Sequence, residues 1–363
     1  MIAHVITNFD KKGGAEGLLI RHLLSSQVKD ILLVSLMKIS DEMAGQIPKS
    51  VKLVQLDSRN LITMFISALK LNRVLKDNGV TNLVCWMYHA NVIGCLSKLF
   101  DRRVNIIWNV RHSLDDLPGE KFSTKLAIRL GLLFSWRASK VVFCAVRSME
   151  QHIGIKYCNA EKAVYIPNGF IFDEKPKNKI IHAKNKKKVI IGAMGRFHSS
   201  KDYETLFKAL KIVQDAKYEF IIRLAGHDMV QDNQNLTALV EGNGIISQNV
   251  EYFGFQKFVS EFYSEIDFFV LASKTEGFPN VLVEAAYSGC LCIASDAGDS
   301  ARILSNKARI FPIRDFERLA AILTKYFSSD GKTIEDNVKE DMRHVIDSFS
   351  ISKFNSRLTE LYK

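Results

Sequence analysis

One stretch of the sequence, residues 267–289, constrains the fold of this chain more than any other. Residues 267–271 are apolar and rich in phenylalanine, which predicts a short buried strand. The following helix is predicted to end near Gly289 and to hold Pro279 in its first turn, where a missing N–H costs nothing. A strand, a loop and a helix in this order form one βα unit, so the stretch predicts an α/β fold with a parallel sheet.

Two glutamates flank the start of this predicted helix. Glu276 lies in the loop, and Glu284 lies inside the helix among residues that favour burial. Both could be solvated surface residues, but a carboxylate in an apolar setting is costly unless it has a purpose. The free N–H groups at a helix start suit an anion, and carboxylates accept hydroxyl groups, so a nucleotide sugar fits both. The loop residues predicted to contact it are Gly277, Phe278, Pro279, Asn280 and Val281.

Strands and helices alternate along the rest of the chain, which indicates βαβ units around parallel sheets. Ligands of such sheets bind at the carboxyl ends of the strands. Strands are predicted at residues 2–7, 31–36, 51–56, 83–86, 104–108, 141–144, 163–166, 189–194, 219–225, 250–254 and 291–295, with helices at 18–24, 61–75, 90–99, 203–213 and beyond 315.

Three strand-to-helix loops carry further candidate binding residues. Gly13 and Gly14 form a turn whose backbone N–H groups could approach a phosphate or an acceptor, although most such pairs are plain turns. Arg196 and Lys201 flank the loop after residues 189–194, and both cations can converge on a diphosphate above the next helix. The third loop contains Gly254 and Phe255, which could seat a nucleobase.

The positive charge of the chain is concentrated in its first half. The formal net charge is +11 overall, with +10 on residues 1–170, +5 on residues 171–188 and −4 on residues 189–363. This distribution predicts an anionic surface or partner for the first half. Nucleic acid is disfavoured because the chain has no recognisable nucleic-acid-reading module or clustered basic-aromatic motif.

A basic amphipathic helix is predicted within residues 121–140. It combines apolar residues, among them Phe122, Leu133 and Trp136, with lysines and arginines. Such a helix can lie in the headgroup plane of a membrane, or it can pack on the sheet with its cations solvated. Both interpretations stay open on the sequence alone.

The cysteines and the apolar runs indicate a cytoplasmic protein. None of the six cysteines makes a C-x-x-C pair, so reduced buried thiols are expected rather than disulfides or zinc ligands. No run approaches the roughly 20 apolar residues that span a bilayer. The N-terminus also lacks the pattern of a secretion signal.

The motifs together resemble the family-4 retaining glycosyltransferases of GT-B fold. The resemblance is carried by EGFPNVLVEAAYSG with Glu276 and Glu284, by Gly13-Gly14-Ala15-Glu16, by Pro167-Asn168-Gly169, and by Gly195-Arg196 followed by Lys201. Relatives often have two glycines where this chain has Gly298-Asp299, which leaves the role of that loop open.

The resemblance implies two Rossmann-like domains that face each other across a cleft. Residues 1–170 would bind the acceptor, residues 171–188 would form a basic linker, and residues 189–345 would bind the nucleotide sugar. A last helix within residues 346–363 would cross back to the first domain.

The resemblance also implies site roles. Arg196 and Lys201 would stabilise the leaving diphosphate, Glu284 would hold the ribose, Glu276 would hold the sugar ring, and His112 would bond the transferred sugar. No cofactor and no metal are expected, since two cations and a helix N-terminus can replace a metal at the diphosphate.

The function expected from the resemblance is retaining transfer of a hexose or N-acetylhexosamine to a lipid-diphosphate-linked glycan. UDP is expected as the nucleotide, and the setting would be bacterial surface polysaccharide synthesis, such as lipopolysaccharide or O-antigen, at the inner face of the plasma membrane. The alternatives are a GDP-sugar (mannosyl) transferase of this fold, a non-catalytic membrane-docking GT-B protein and, within enzymes, a hydrolase or epimerase.

Overall fold

The chain divides into two compact units. The computed structural model describes residues 1–58, 61–99, 101, 103–115, 117–172 and 188–362. Unit 1 comprises Met1–Ile171 together with Phe349–Lys363, and unit 2 comprises Phe172–Ser348. Most of the linker predicted at residues 171–188 lies outside the described residues.

Unit 1 is built on a seven-stranded parallel sheet with the order β3-β2-β1-β4-β5-β6-β7. Its strands are β1 (Ile2–Ile6), β2 (Ile31–Ser35), β3 (Lys52–Gln55), β4 (Asn82–Trp86), β5 (Asn105–Val110), β6 (Lys140–Phe143) and β7 (Ala163–Tyr165). Its helices are α1 (Gly14–Ser25), α2 (Asp41–Ala44), α3 (Leu61–Asp77), α4 (Met87–Ser97), α5 (Phe122–Phe134), α6 (Val146–Gly154) and, at the end of the chain, α14 (Ile351–Glu360).

Unit 2 is built on a six-stranded parallel sheet with the order β10-β9-β8-β11-β12-β13. Its strands are β8 (Val189–Met194), β9 (Phe220–Ala225), β10 (Val250–Gly254), β11 (Phe268–Leu271), β12 (Leu291–Ser295) and β13 (Ile310–Phe311). Its helices are α7 (Tyr203–Asp215), α8 (Gln234–Gly242), α9 (Val259–Ser264), α10 (Asn280–Tyr287), α11 (Ser300–Ile303), α12 (Phe316–Phe327) and α13 (Gly331–Phe349).

The central strands of both sheets are buried, as the sequence predicts. β2, β4, β11 and β12 are buried at every residue, because helices cover both faces of a parallel sheet. Runs of isoleucine, leucine, valine and phenylalanine satisfy this double burial, and they are what made the strands recognisable. The prediction of two α/β units with parallel sheets is confirmed.

The last helix, α14, packs on α1 within unit 1, so the predicted return of the chain end to the first domain is confirmed. The Asn355 Oδ1 atom lies 2.7 Å from the His22 Nδ1 atom. A Cβ atom on Gly169 would lie 2.7 Å from the Cβ of Phe354, so only glycine lets the Pro-Asn-Gly turn approach this helix.

The predicted helix within residues 121–140 is shorter than expected. α5 ends at Phe134, a 3-10 turn follows at Ser135–Arg137, and the chain then enters β6. The Lys162 ammonium group donates hydrogen bonds to the carbonyl oxygens of Trp136 at 2.9 Å and Ala138 at 2.8 Å. These bonds take up carbonyl groups that a longer helix would have used, so the amphipathic pattern overstated the helix length.

The glycine pair near the N-terminus is not an open turn. Gly13 caps α1, and Gly14 is already its first residue. The Glu16 carboxylate accepts from the backbone of Gly13, and burial raises the pKa of Glu16. A carboxylate therefore already occupies this helix start, and the binding role of Gly13 and Gly14 stays a prediction.

Candidate functional site

The strand order of unit 2 creates a crevice between β8 and β11. From β8 the chain builds outward through β9 and β10, and it then returns to the other side of β8 to add β11, β12 and β13. The connections that follow β8 and β11 therefore lead to opposite sides of the sheet, and α/β sheets bind ligands at the boundary between two such strands. The loops that leave these two strands carry Arg196, Lys201 and Glu276.

Lys201 and Glu276 form an ion pair at this crevice. The Lys201 Nζ atom lies 2.5 Å from the Glu276 Oε1 atom, and the side chains are only 20% and 11% exposed. The Ser273 hydroxyl donates to the same carboxylate oxygen at 2.6 Å. The structure thus brings together a cation and a carboxylate that the sequence assigned to phosphate and to sugar.

A second ion pair holds the same two loops together. The Lys274 Nζ atom lies 3.1 Å from the Asp202 Oδ1 atom, and the Lys274 N–H donates to the Ser200 carbonyl at 2.8 Å. Asp202 has a positive φ of 49° and also accepts from the Thr205 hydroxyl at 2.8 Å. The loop that carries Lys201 is therefore held by contacts of Ser200 and Asp202, the residues on either side of it.

Arg196 is exposed in the loop after β8. Its neighbour Gly195 accepts a hydrogen bond from the Tyr203 hydroxyl at 3.1 Å, which ties the start of this loop to α7. A Cβ atom on Gly226 would lie 2.1 Å from the Gly195 carbonyl oxygen, so only glycine allows the loops after β8 and β9 to touch.

The loop after β11 leads into α10 through a buried apolar turn. Phe278 is buried, and Pro279 is the residue before the helix rather than part of its first turn, because α10 starts at Asn280. Pro279, the N-cap residue, makes no side-chain cap bond, and Gly277 and Val281 flank this helix start, where backbone N–H groups suit an anion.

Gly298 explains the loop whose role the sequence left open. It has a positive φ of 57°, and a Cβ atom there would lie 2.3 Å from the Gly277 carbonyl oxygen and 2.6 Å from that of Glu276. The Asp299 N–H also donates to the Gly277 carbonyl at 3.3 Å. The loop after β12 thus supports the loop that carries Glu276, and a single glycine suffices for this.

Glu284 is half-buried on α10 and is held by a residue that the sequence did not reveal. The Tyr263 hydroxyl on α9 donates to the Glu284 Oε2 atom at 3.3 Å. Tyr263 is fully buried, and burial together with the nearby Glu284 charge raises its pKa well above its usual value. It therefore stays a neutral donor and orients the carboxylate. Tyr263 lies on a different helix from Glu284, so no local sequence pattern links the two residues.

The predicted nucleobase seat lies at the end of β10. Gly254 has a positive φ of 60°, and its carbonyl accepts from the Gly226 N–H at 2.7 Å. Phe255, the next residue, is 76% exposed. The backbone bond joins this loop to the one after β9, so these loops lie at the same carboxyl edge as the crevice.

His112 lies in unit 1, directly after β5. Its Nε2 atom is 2.7 Å from the Glu120 Oε1 atom, and its backbone carbonyl accepts from the Ser148 hydroxyl at 2.6 Å. Glu120 therefore fixes the orientation of the ring. The role of His112 toward a sugar stays a prediction.

Two further predictions from the sequence concern the cysteines and membrane-spanning helices. All six cysteines are free and buried, and burial raises the pKa of the Cys95 thiol to about 12. No helix of the described residues combines the length and the apolar content needed to cross a bilayer.

A family comparison matches most of unit 2, and structural comparisons match the fold of the whole chain. Residues 174–344 match the family model of glycosyl transferases group 1. EpsF of Bacillus subtilis strain 168, a candidate glycosyltransferase, is 31% identical over 134 residues, which are 37% of this chain and 33% of that protein. The chain spans about a third of the length of the curated relatives it matches.

Solved structures resemble the chain over its whole length. Anabaena HepE in complex with UDP and glucose matches with a TM-score of 0.78 at 18% identity, covering 99% of this chain and 98% of that one. The lipopolysaccharide outer core galactosyltransferase WaaB matches with a TM-score of 0.76 at 16% identity, covering 99% of both chains. These likenesses show a GT-B fold, and the family match identifies a glycosyl transferases group 1 domain within residues 174–344, in line with the resemblance found in the sequence.

Proposed function

From a GT-B fold whose second unit carries a glycosyltransferase group 1 domain, we propose that this protein is a retaining glycosyltransferase. It moves a hexose or N-acetylhexosamine from a nucleotide diphosphate sugar to a lipid-diphosphate-linked glycan during surface polysaccharide synthesis. UDP is the preferred nucleotide, which agrees with the UDP complex of HepE. The observation that carries the proposal is the Lys201–Glu276 pair at the β8/β11 crevice.

The donor lies with its diphosphate above the starts of α7 and α10. Lys201 and Arg196 contact the phosphate oxygens, while Glu276 accepts a hydroxyl of the sugar ring and Glu284 accepts the ribose hydroxyls. Lys201 contacts Glu276, so the phosphate that Lys201 binds and the sugar ring that Glu276 binds lie next to each other in the crevice. The glycosidic C1–O bond that joins these two groups is the bond that has to break.

The reaction breaks the bond between C1 and the phosphate oxygen, and negative charge develops on the leaving diphosphate. Lys201, Arg196 and the N–H groups at the start of α10 stabilise this charge, so the site works without a metal or a cofactor. The acceptor hydroxyl attacks C1 from the face that the phosphate leaves, and its proton passes to the leaving phosphate oxygen. The sugar thus keeps its anomeric configuration.

Product analysis tests this proposal. The protein is incubated with UDP-sugars or GDP-sugars and a lipid-diphosphate acceptor, and the anomeric configuration of the product is read by NMR. We expect turnover with retention and a preference for a UDP donor. Turnover of GDP-mannose would favour the mannosyl alternative, inversion would contradict the mechanism, and no turnover with any donor would favour a non-catalytic GT-B protein.

Tyr263 provides a prediction that separates positioning from chemistry. Tyr263→Phe removes the hydroxyl that orients Glu284, so we expect nucleotide Kd to rise about 5-fold, the worth of one hydrogen bond of about 1 kcal/mol. The kcat should stay within about twofold of wild type. Titration calorimetry and initial rates measure both values.

The matched control is Tyr218→Phe, whose hydroxyl contacts Ser328 at 2.8 Å outside the crevice. It should leave the nucleotide Kd unchanged. An unchanged Kd in Tyr263→Phe as well would show that the Tyr263–Glu284 bond does not position the carboxylate for the nucleotide.

A further inference from the structure

The exposed apolar side chains of unit 1 are concentrated on two helices. Leu69 on α3 is 75% exposed, Phe122 and Leu133 on α5 are 73% and 67% exposed, and Trp136 in the turn after α5 is 59% exposed. Together with three exposed apolar neighbours these side chains form the α3–α5 patch. The patch consists of Phe65, Ile66, Leu69, Phe122, Leu132, Leu133 and Trp136.

The two helices lie next to each other across a shared groove. The groove walls come from α3 and α5, and its floor comes from α4. Burial lowers the pKa of His89 in the floor, so the one titratable side chain of the groove stays neutral. Apart from His89 and Ser123 the lining is apolar, and its residues are Met64, Phe65, His89, Val92, Ile93, Ser123, Leu126, Ala127 and Leu130.

The patch carries positive charge and almost no negative charge. On α5, Lys125 and Arg129 follow Phe122 at one-turn and two-turn spacing, so they share its face, and the helix has no acidic residue. On α3 the exposed cations Arg73 and Lys76 follow Leu69 at one-turn and two-turn spacing, and Lys70 follows Ile66 at one-turn spacing. The one acidic residue of α3 is Asp77. Apolar tips bordered by cations match a surface with anionic headgroups over hydrocarbon.

We propose that the α3–α5 patch is the surface by which this protein inserts into an anionic lipid bilayer. Phe122, Leu133, Trp136 and Leu69 enter the boundary between headgroups and acyl chains, and the cations of both helices contact lipid phosphates. A second copy of the chain is a poorer partner, because it would place like charges opposite each other. The inference rests on the proposed function in one respect: a lipid-linked acceptor would require the protein to work at a membrane surface.

Apolar insertion predicts a different salt response from a purely electrostatic contact. Salt screens the cations, since the Debye length falls to about 3 Å at 1 M, but it does not weaken apolar burial. Raising the salt should therefore release part of the protein from anionic vesicles and leave a fraction bound. Full release would show that the apolar side chains do not insert.

Trp136 makes the insertion directly observable. Trp86 and Trp108 are fully buried, so Trp136 is the one tryptophan whose surroundings would change at a membrane. On vesicles with about 30% phosphatidylglycerol, a typical anionic surface, we expect a blue shift of its fluorescence and quenching by brominated acyl chains. On phosphatidylcholine vesicles both effects should be much smaller.

The variant for the test is F122S/L133S/W136S, and vesicle co-sedimentation is its readout. Because these side chains are exposed, the fold should be kept, and we expect binding to anionic vesicles to fall at least about tenfold, or about 1.4 kcal/mol. The control L24S/I155S/I246S removes three exposed apolar side chains from other surfaces and should bind like wild type. Nucleotide affinity should be unchanged in both variants.

Besides full release by salt, three outcomes would overturn the proposal. These are vesicle binding of F122S/L133S/W136S equal to wild type, Trp136 fluorescence that does not shift on vesicles, or a solution dimer that the variant abolishes while neither protein binds vesicles. Nucleotide binding without vesicle binding would leave the proposed function intact, whereas vesicle binding without sugar-nucleotide turnover would leave only the membrane surface.

Discussion

Replacing Lys201 with alanine should lower kcat by about 10²- to 10³-fold, the usual effect of losing one preorganised group at a developing oxyanion. Lys201 is 20% exposed and lies 2.5 Å from Glu276, so its ammonium group is held in place before the donor arrives. Charge on the leaving phosphate develops during the reaction, which is why the loss should fall on kcat more than on KM. Initial rates with saturating donor measure it.

Two further variants distinguish a catalytic from a structural role of this lysine. Lys201→Arg keeps the charge and should recover part of the rate. Lys208→Ala removes a cation from α7 that pairs with Glu204 at 2.7 Å on the surface, and it should change kcat by less than about twofold. If Lys201→Ala works within threefold of wild type, the lysine only neutralises Glu276, and leaving-group stabilisation has to come from elsewhere.

Replacing Asp341 with alanine should destabilise unit 2 by about 3–5 kcal/mol, because it leaves a buried guanidinium without its partner. Asp341 on α13 and Arg309 beside β13 are both 0% exposed and form a two-pronged ion pair. Asp341 also accepts from the Ser305 hydroxyl at 2.8 Å, and Arg309 donates to the Cys292 carbonyl at 2.8 Å. The pair thus ties α13 to β12.

Hydrogen exchange is the measurement for this variant, because it separates the two units. Protection should fall in β12, β13 and α13. All three tryptophans belong to unit 1, so the tryptophan fluorescence transition reports that unit and serves as an internal reference. Asp336→Ala, at an exposed position of the same helix, should change stability by less than about 0.5 kcal/mol.

A double variant checks the cause of the Asp341 effect. Replacing both members with apolar residues, as in Arg309→Met with Asp341→Leu, removes the unpaired charge and should recover much of the lost stability. If Asp341→Ala is as stable as wild type, the ion pair contributes nothing to the fold of unit 2.

Much of the fold was predictable because the strands of a parallel sheet are buried on both faces. Their apolar runs placed β8, β10 and β12 at the observed residues. The loop containing Glu276 and the helix containing Glu284 also lie where the sequence placed them. Local patterns sufficed here, since each element is defined by its own residues.

What the sequence did not predict depends on contacts between distant residues. Tyr263 reaches Glu284 from another helix, and Arg309 meets Asp341 across unit 2, so neither pair leaves a periodic signal. The end of α5 is set by Lys162, and the start of α1 by the Glu16 carboxylate. The direct pairing of Lys201 with Glu276 was likewise hidden by the residues between them.

The most direct test of the proposed donor site is nucleotide affinity with Glu284 altered. Titration calorimetry with UDP compares wild type, Glu284→Ala and Glu340→Gln, an exposed glutamate on α13 that serves as control. Losing a charged acceptor of two ribose hydroxyls should raise Kd about 10- to 100-fold, while the control stays at the wild-type value. Equal affinity in all three proteins would contradict a nucleotide-sugar site at the β8/β11 crevice.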